Sequence, residues 1–155
     1  MRSRLATAIT VVAVLAGCGG KDGGGSAASP PASDLSAFQL EHGIGPMTDV
    51  VTLGALDKSL ADSGQKVFGA KCTACHKVGE KYIGPALGEV LTRRSPTYVM
   101  NMILNPNEMV ERHPVAKQLL AEAMTLMANQ GLTTGEARAV VEYFRTQATG
   151  TVKTQ

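Results

Sequence analysis

Three side chains in the 155-residue sequence stand in a pattern that can do chemistry: Cys72-Thr73-Ala74-Cys75-His76. C-x-x-C-H is the attachment sequence for c-type haem. Each thiol can add across a haem vinyl group: the sulfur bonds to one vinyl carbon and the hydrogen goes to the other, leaving a thioether. The two-residue gap lets a single helical turn present both sulfurs to one edge of the ring, with the neighbouring imidazole directed at the iron. Two other readings exist for such a pair. A redox dithiol of the thioredoxin kind needs a surrounding βαβ pattern, and none is visible. A structural zinc site needs a second pair of ligands. The remaining cysteine, Cys18, has a different explanation given below.

The elements that must position these residues read as helices. Asp57 can cap a helix running to about Ala70, with Leu60, Val67 and Phe68 near one face and the C-x-x-C-H run directly after it. Gly64 lies inside that helix, where glycine costs about 1 kcal/mol relative to alanine. Close approach of another helix would compensate. Ser95-Pro96 reads as cap and first residue of a helix to about Leu104, ended by Asn105-Pro106. His113-Pro114 opens another, from Val115 to about Ala123, with Leu119 and Leu120 facing inward and His113 as a cap or surface residue. Thr133 and Glu136 form a capping box for a last helix to about Gln147, whose stripe is Ala137, Val140, Val141 and Phe144.

These residues together resemble class I cytochrome c over about residues 57–147. The resemblance implies an all-α fold, three to five helices around one covalently bound haem, with N- and C-terminal helices crossing at close quarters. Gly64 and Phe68 match the first side of that crossing, and Val140 and Tyr143 the second. Gly84-Pro85 matches a turn whose proline carbonyl accepts the second N–H of the ligand histidine and so orients its ring. Iron is then held by His76 and by a methionine located ahead of the last helix. Met127, six residues before Thr133, fits the family spacing, and Met124 is the alternative. The family's Met-Pro is Met127-Ala128 here. Met100, Met102 and Met109 are expected as core fillers, and His42 and His113 as packing, cap or surface residues rather than ligands.

The implied function is single-electron transfer, with no catalytic residue. His/Met ligation leaves no open position on iron and raises the reduction potential. A displaceable sixth ligand would instead give a haem-based gas or redox sensor or a peroxidase-like protein, and Ala128 is the feature that speaks for it. Lys66, Lys71, Lys77, Lys81, Arg93 and Arg94 crowd around the motif. They form either a solvated surface or a basic rim for acidic redox partners, and an arginine can also hold a haem propionate.

The N-terminus determines where this would happen. Met1–Arg4 is a positive n-region and residues 5–17 an apolar run of signal-peptide length. Leu15-Ala16-Gly17-Cys18 resembles the lipobox of bacterial lipoproteins, which implies cleavage after residue 17, lipidation of Cys18 and an exported protein anchored to a membrane, facing the periplasm or the cell exterior. Residues 18–40 are a Gly/Ser/Pro tether by composition. Residues 41–56 read as an extended arm packing on the domain, and 148–155 as a polar, frayed tail. Without residues 1–17 the chain carries thirteen basic and thirteen acidic side chains, so bulk charge gives no case for nucleic acid. Aromatic residues are few, with no Trp, three Tyr and three Phe; a buried porphyrin would supply much of the missing apolar area. Glu41–Pro46, Met100–Pro106 and Met127–Thr133 further resemble lipoprotein cytochromes that accompany nitrous oxide reductase. That likeness implies a quinol-oxidising complex as donor and nitrous oxide reductase, or a terminal oxidase, as acceptor.

Overall fold

The computed structural model describes residues 34–155. The signal segment, Cys18 and most of the tether lie outside the described residues. Among those described there are seven helices and no strands: α1 Ala37–His42, α2 Lys58–Lys71, α3 Val90–Arg93, α4 Pro96–Leu104, α5 Pro106–Arg112, α6 Pro114–Ala123 and α7 Thr134–Gln147. None is long and apolar enough to cross a membrane.

The long helices begin where their caps place them. The Asp57 carboxylate accepts from the Leu60 N–H, Ser95 Oγ from the Tyr98 N–H, and Thr133 and Glu136 close a reciprocal box. Each cap satisfies amides that the first turn leaves unpaired. His113 caps α6 through Nδ1, which accepts from the Val115 N–H at 3.2 Å, and the ring is buried rather than at the surface. With Nδ1 accepting, Nε2 carries the proton and donates to the Leu40 carbonyl at 3.2 Å.

The core is organised by the crossing of α2 and α7. A Cβ on Gly64 would run into the Ala139 carbonyl group and stand 2.9 Å from the Val140 nitrogen, so only glycine lets the two backbones meet. Phe68 packs beside that contact, with its ring centroid 5.5 Å from Tyr143 and 5.6 Å from Phe144. All four residues of the expected α7 stripe are buried.

Four features differ from the sequence reading. The helices number seven against three to five, the surplus being the short α1, α3 and α5. The boundary between tether and arm, set at 40/41 by composition, falls inside α1, and Leu35, within the expected tether, is already buried. Asn105-Pro106 ends α4 but also starts α5, because proline is well suited to the first helical position. The tail is tied down: the Lys153 N–H donates to the Leu91 carbonyl at 2.8 Å, the Leu53 N–H to the Thr154 carbonyl at 3.0 Å, and the Thr149 N–H to Glu89 at 2.7 Å.

The arm is fastened by buried apolar side chains, Ile44 and Leu53 among them, and by polar hooks from buried helix positions. Asn101 donates to the His42 and Met47 carbonyls, both at 3.0 Å, and accepts from the Met47 N–H at 2.9 Å. Thr97 Oγ1 accepts from the Val51 N–H at 2.8 Å. Glu142 accepts from the Asp57 N–H at 2.8 Å and from Arg138 and Arg145 at 2.6 Å each. An extended segment with no sheet partner must find such acceptors and donors or leave its backbone unsatisfied.

Candidate haem site

α2 stops at Lys71, and Cys72 is its C-cap residue. The chain turns tightly there, with the Cys75 and His76 N–H groups both donating to the Cys72 carbonyl at 3.1 and 2.9 Å. The next segment folds back along the motif. Gly84 N–H donates to the Cys75 carbonyl, Leu87 N–H to Lys77 and Gly88 N–H to Val78, at 2.8 to 3.0 Å. This pairing brings the Pro85 carbonyl 3.0 Å from His76 Nδ1, which donates to it and leaves Nε2 free. The ring lies against Gly84, where a Cβ would stand 2.6 Å from Nδ1 and 2.9 Å from Nε2. Glycine at 84 thus makes room for the imidazole, and proline at 85 supplies the acceptor that sets its orientation.

Cys72, Cys75, His76, Pro85 and Met127 all line one cavity of about 290 Å³. A single water needs roughly 10–15 Å³ by the same kind of measure, so this is a ligand chamber and not a packing defect. Its remaining wall is largely apolar, with Leu87, Val99, Ile103, Leu120, Val140 and Phe144 among the lining residues. Met124 is not in that wall. It ends α6 in a left-handed conformation (φ 51°) and is 87 % exposed. Met100 and Met109 are buried in the core, whereas Met102 also reaches the cavity. His42 bonds Ser95 at 2.9 Å, and neither it nor His113 lines the chamber.

The chemistry of the donor set decides between the readings of the cysteine pair. Burial pushes the Cys72 thiol up, and Cys75 beside it adds in the same direction. An attacking redox cysteine has its pKa lowered, the opposite of the direction at Cys72. Among the described residues no group of three or more His, Cys, Asp and Glu is placed to hold a metal ion, so none of them completes a four-ligand zinc set with the cysteine pair. Haem fits: two thiols at one edge, an oriented imidazole, a thioether and an apolar wall. The Tyr98 hydroxyl is buried with no hydrogen-bond partner among the described residues, and the Arg94 guanidinium lies 5.3 Å from the centre of its ring. Both residues line the cavity. A buried hydroxyl without a partner costs roughly 1–3 kcal/mol, and a propionate carboxylate is the kind of acceptor this corner lacks. Tyr98 escapes a sequence reading because it sits inside α4 among apolar neighbours and looks like core.

The family model described as Cytochrome c matches residues 61–148. The chain belongs to the cytochrome c family. Its cofactor is covalently bound haem c, one per chain, and the family's function is electron transfer. The cytochrome is 37 % identical over 49 residues to a cytochrome c-553-like protein of Synechocystis, a stretch covering 31 % of this chain and 47 % of that protein. The chain therefore spans about half of that relative's length. It is also similar to the solved structure of a cytochrome c from Rhodothermus marinus, at 46 % identity and TM-score 0.68, covering 73 % of this chain and 97 % of that one. An engineered form of the Rhodothermus cytochrome bound to a carbene intermediate matches at 47 % identity and TM-score 0.65, covering 72 % and 97 %.

Proposed function

We propose that this cytochrome is a membrane-tethered, single-haem electron carrier in which Cys72 and Cys75 form the thioethers and His76 and Met127 are the axial ligands of iron. The observation that carries the reading is the presence of all four side chains in the lining of one apolar chamber, with Met124 turned out to solvent. Haem c supplies an iron that holds or gives up one electron. The chain's part is to keep the coordination unchanged while that happens. Pro85 and Gly84 fix the imidazole, Met127 occupies the remaining position, and the apolar wall excludes water. A thioether ligand and a dry chamber both favour the lower-charged ferrous state and raise the potential.

Partner contact is short-lived and centres on the chamber mouth. Ile83 and Leu126 line the cavity and are 40 % and 61 % exposed, with Tyr82 and Met124, also exposed, beside them in sequence. Lys77 stands 5.1 Å from the centre of the Tyr82 ring, and Lys71, Arg93 and Arg94 line the same cavity. An apolar centre with a basic margin suits a small, transient interface with an acidic redox partner. The lipobox at Cys18 and the tether support anchorage at a membrane, where confinement raises the effective concentration for membrane-bound partners. The resemblance of three stretches to lipoprotein cytochromes of nitrous oxide respiration supports a quinol-oxidising complex as donor and nitrous oxide reductase as acceptor, with a terminal oxidase as the other acceptor to test.

Visible and near-infrared spectra of the oxidised and reduced holoprotein test the ligand set. Met127→Ala should abolish the methionine–iron charge-transfer absorption and Met124→Ala should leave it intact; the reverse would move the ligand to Met124. Oxidation of the reduced protein by each purified acceptor then tests the partner. A second reading, a ligand-binding haem protein, is favoured by exposed Ala128 in the loop beside Met127 and by the engineered Rhodothermus relative that holds a carbene intermediate. Carbon monoxide binding by the unmodified reduced protein distinguishes the two.

A further inference from the structure

Residues 125–132 join α6 to α7 and carry Met127. The segment leaves α6 at Met124, the one non-glycine residue with positive φ among the described residues, and approaches α7 through Gly131 at φ 64°. Between these points its backbone makes no hydrogen bond to the rest of the described domain. One hydrogen bond leaves it: Asn129 Nδ2 donates to the Leu104 carbonyl at 3.2 Å. The same side chain's Oδ1 accepts from the Gly131 N–H at 2.8 Å. Leu104 is the last residue of α4, where helix carbonyls have no partner within the helix. α4 is largely buried and itself supplies cavity wall through Val99, Met102 and Ile103. What else holds the segment is apolar: Met127 and Leu132 pack against the core, while Leu126 and Ala128 are exposed.

We propose that Asn129 is the latch of this loop, a positioning residue that keeps Met127 in the chamber and thereby sets how readily an external ligand reaches the iron. The ligands concerned are small and uncharged: carbon monoxide on ferrous iron, imidazole on ferric. The proposal rests on Met127 being the axial ligand. A protein whose binding-competent state is rare has its affinity reduced by that fraction, so the opening equilibrium is read directly as ligand affinity. Local opening draws on the few contacts the segment makes and not on global stability. Asn129 supplies the loop's outward hydrogen bond and one that shapes its turn. Net hydrogen-bond contributions of ordinary size then put the gain in open state on loss of the side chain at about tenfold.

The experiment compares carbon monoxide and imidazole affinities of the holoprotein with those of Asn129→Ala, Asn129→Asp and Met127→Ala. Asn129→Ala should bind both ligands about tenfold more tightly while its ligand-free spectrum keeps the methionine signature and its thermal midpoint stays close to that of the parent. Asn129→Asp retains the acceptor for Gly131 but points a carboxylate oxygen at the Leu104 carbonyl, so it should open at least as far. Affinities within twofold of the parent in Asn129→Ala, or parental behaviour in Asn129→Asp, would overturn the latch. Met127→Ala should bind most tightly of all; if it binds no better than the parent, the axial assignment fails and the latch with it. If Met127→Ala binds tightly and the Asn129 variants do not, the latch alone is wrong.

Discussion

Gly64→Ala is the sharpest test of how this chain is held together, because two effects of opposite sign compete at one atom. Alanine in a helix interior is favoured over glycine by about 1 kcal/mol. Against that, a Cβ at position 64 meets the Ala139 carbonyl and the Val140 nitrogen. These are backbone atoms of α7, which cannot swing aside as a side-chain tip can. α2 and α7 must separate, and the Phe68–Tyr143–Phe144 cluster beside the contact loosens with them. Overpacking of this kind costs about 3 kcal/mol, so the net expectation is a loss of about 2 kcal/mol, or a fall in thermal midpoint on the order of 10 °C for a domain of this size. Gly69 lies in the same helix, and a Cβ there meets nothing within 4 Å. Gly69→Ala should therefore stabilise by up to about 1 kcal/mol. Urea unfolding of the two holoprotein variants, followed by far-ultraviolet circular dichroism, gives the comparison. If Gly64→Ala is as stable as Gly69→Ala, the helices do not cross where the geometry puts them.

Two buried ionisable groups give further expectations. Burial raises the pKa of Glu142, but hydrogen bonds from Arg138 and the Asp57 amide and the charges of Arg138 and Arg145 outweigh it and hold the carboxyl below its ordinary 4.5. Its contribution to stability is full above that value and is lost as the pH falls through the lower folded value. Glu142→Gln should cost about 3 kcal/mol at pH 7, the scale for breaking a buried ion pair from one side, and should flatten the acid limb of a urea-midpoint profile; an unchanged acid limb would refute the assignment. His113 is held below its ordinary 6.5, first by burial and also by Arg94, with backbone hydrogen bonds to Leu40 and Gln39 opposing. Neutral histidine is the folded form, so stability is complete above pH 6.5 and declines as the pH falls toward the folded value. His113→Asn keeps a good capping acceptor and should remove the decline between pH 7 and 5; a persisting slope would place its origin elsewhere.

The long helices were legible because their ends are written locally. Asp57, Ser95-Pro96, His113-Pro114 and Thr133 with Glu136 each act on amides within three residues, and no tertiary context overrides them. The Cys72–His76 run stands out for the same reason, whereas the Pro85 contact to His76 was implied only by the resemblance of Gly84-Pro85 to the cytochrome c family. α1 was missed although Ser36 and Gln39 spell a capping box, because the Ser/Pro-rich run before it reads as linker. α5 was missed because Asn-Pro marks a boundary without saying that a new helix follows. For a deeper reason, the ties of the tail and the particular bonds that fasten the arm were not legible. Their attachments run through backbone groups to Leu91, Thr154, Asn101 and Thr97, and hydrophobic periodicity carries no trace of such bonds. Asn101, Thr97 and Glu142 look like surface positions by residue type and are fully buried hooks.

The two sides of the chamber are built to different standards, and that asymmetry bears on function more than any single residue does. On the histidine side, several backbone hydrogen bonds, a glycine that makes room and a carbonyl acceptor converge on one ring. Moving His76 means breaking that ladder and the C-cap of α2 together. On the methionine side, eight residues span two left-handed turns with one hydrogen bond outward. An electron carrier needs both ligands to stay put through each redox cycle, so the strength of the whole arrangement is that of its weaker side. The apolar packing of Met127 and Leu132 is one part of that strength and, on the latch proposal, Asn129 the other. With Met127 on iron, a loop kept shut would leave only electron transfer, and a loosened loop would open a position on the iron. With Met127 as the proposed axial ligand, the choice between carrier and ligand-binding protein would lie in residues 125–132 and not in the Cys72–His76 motif that first identifies the haem.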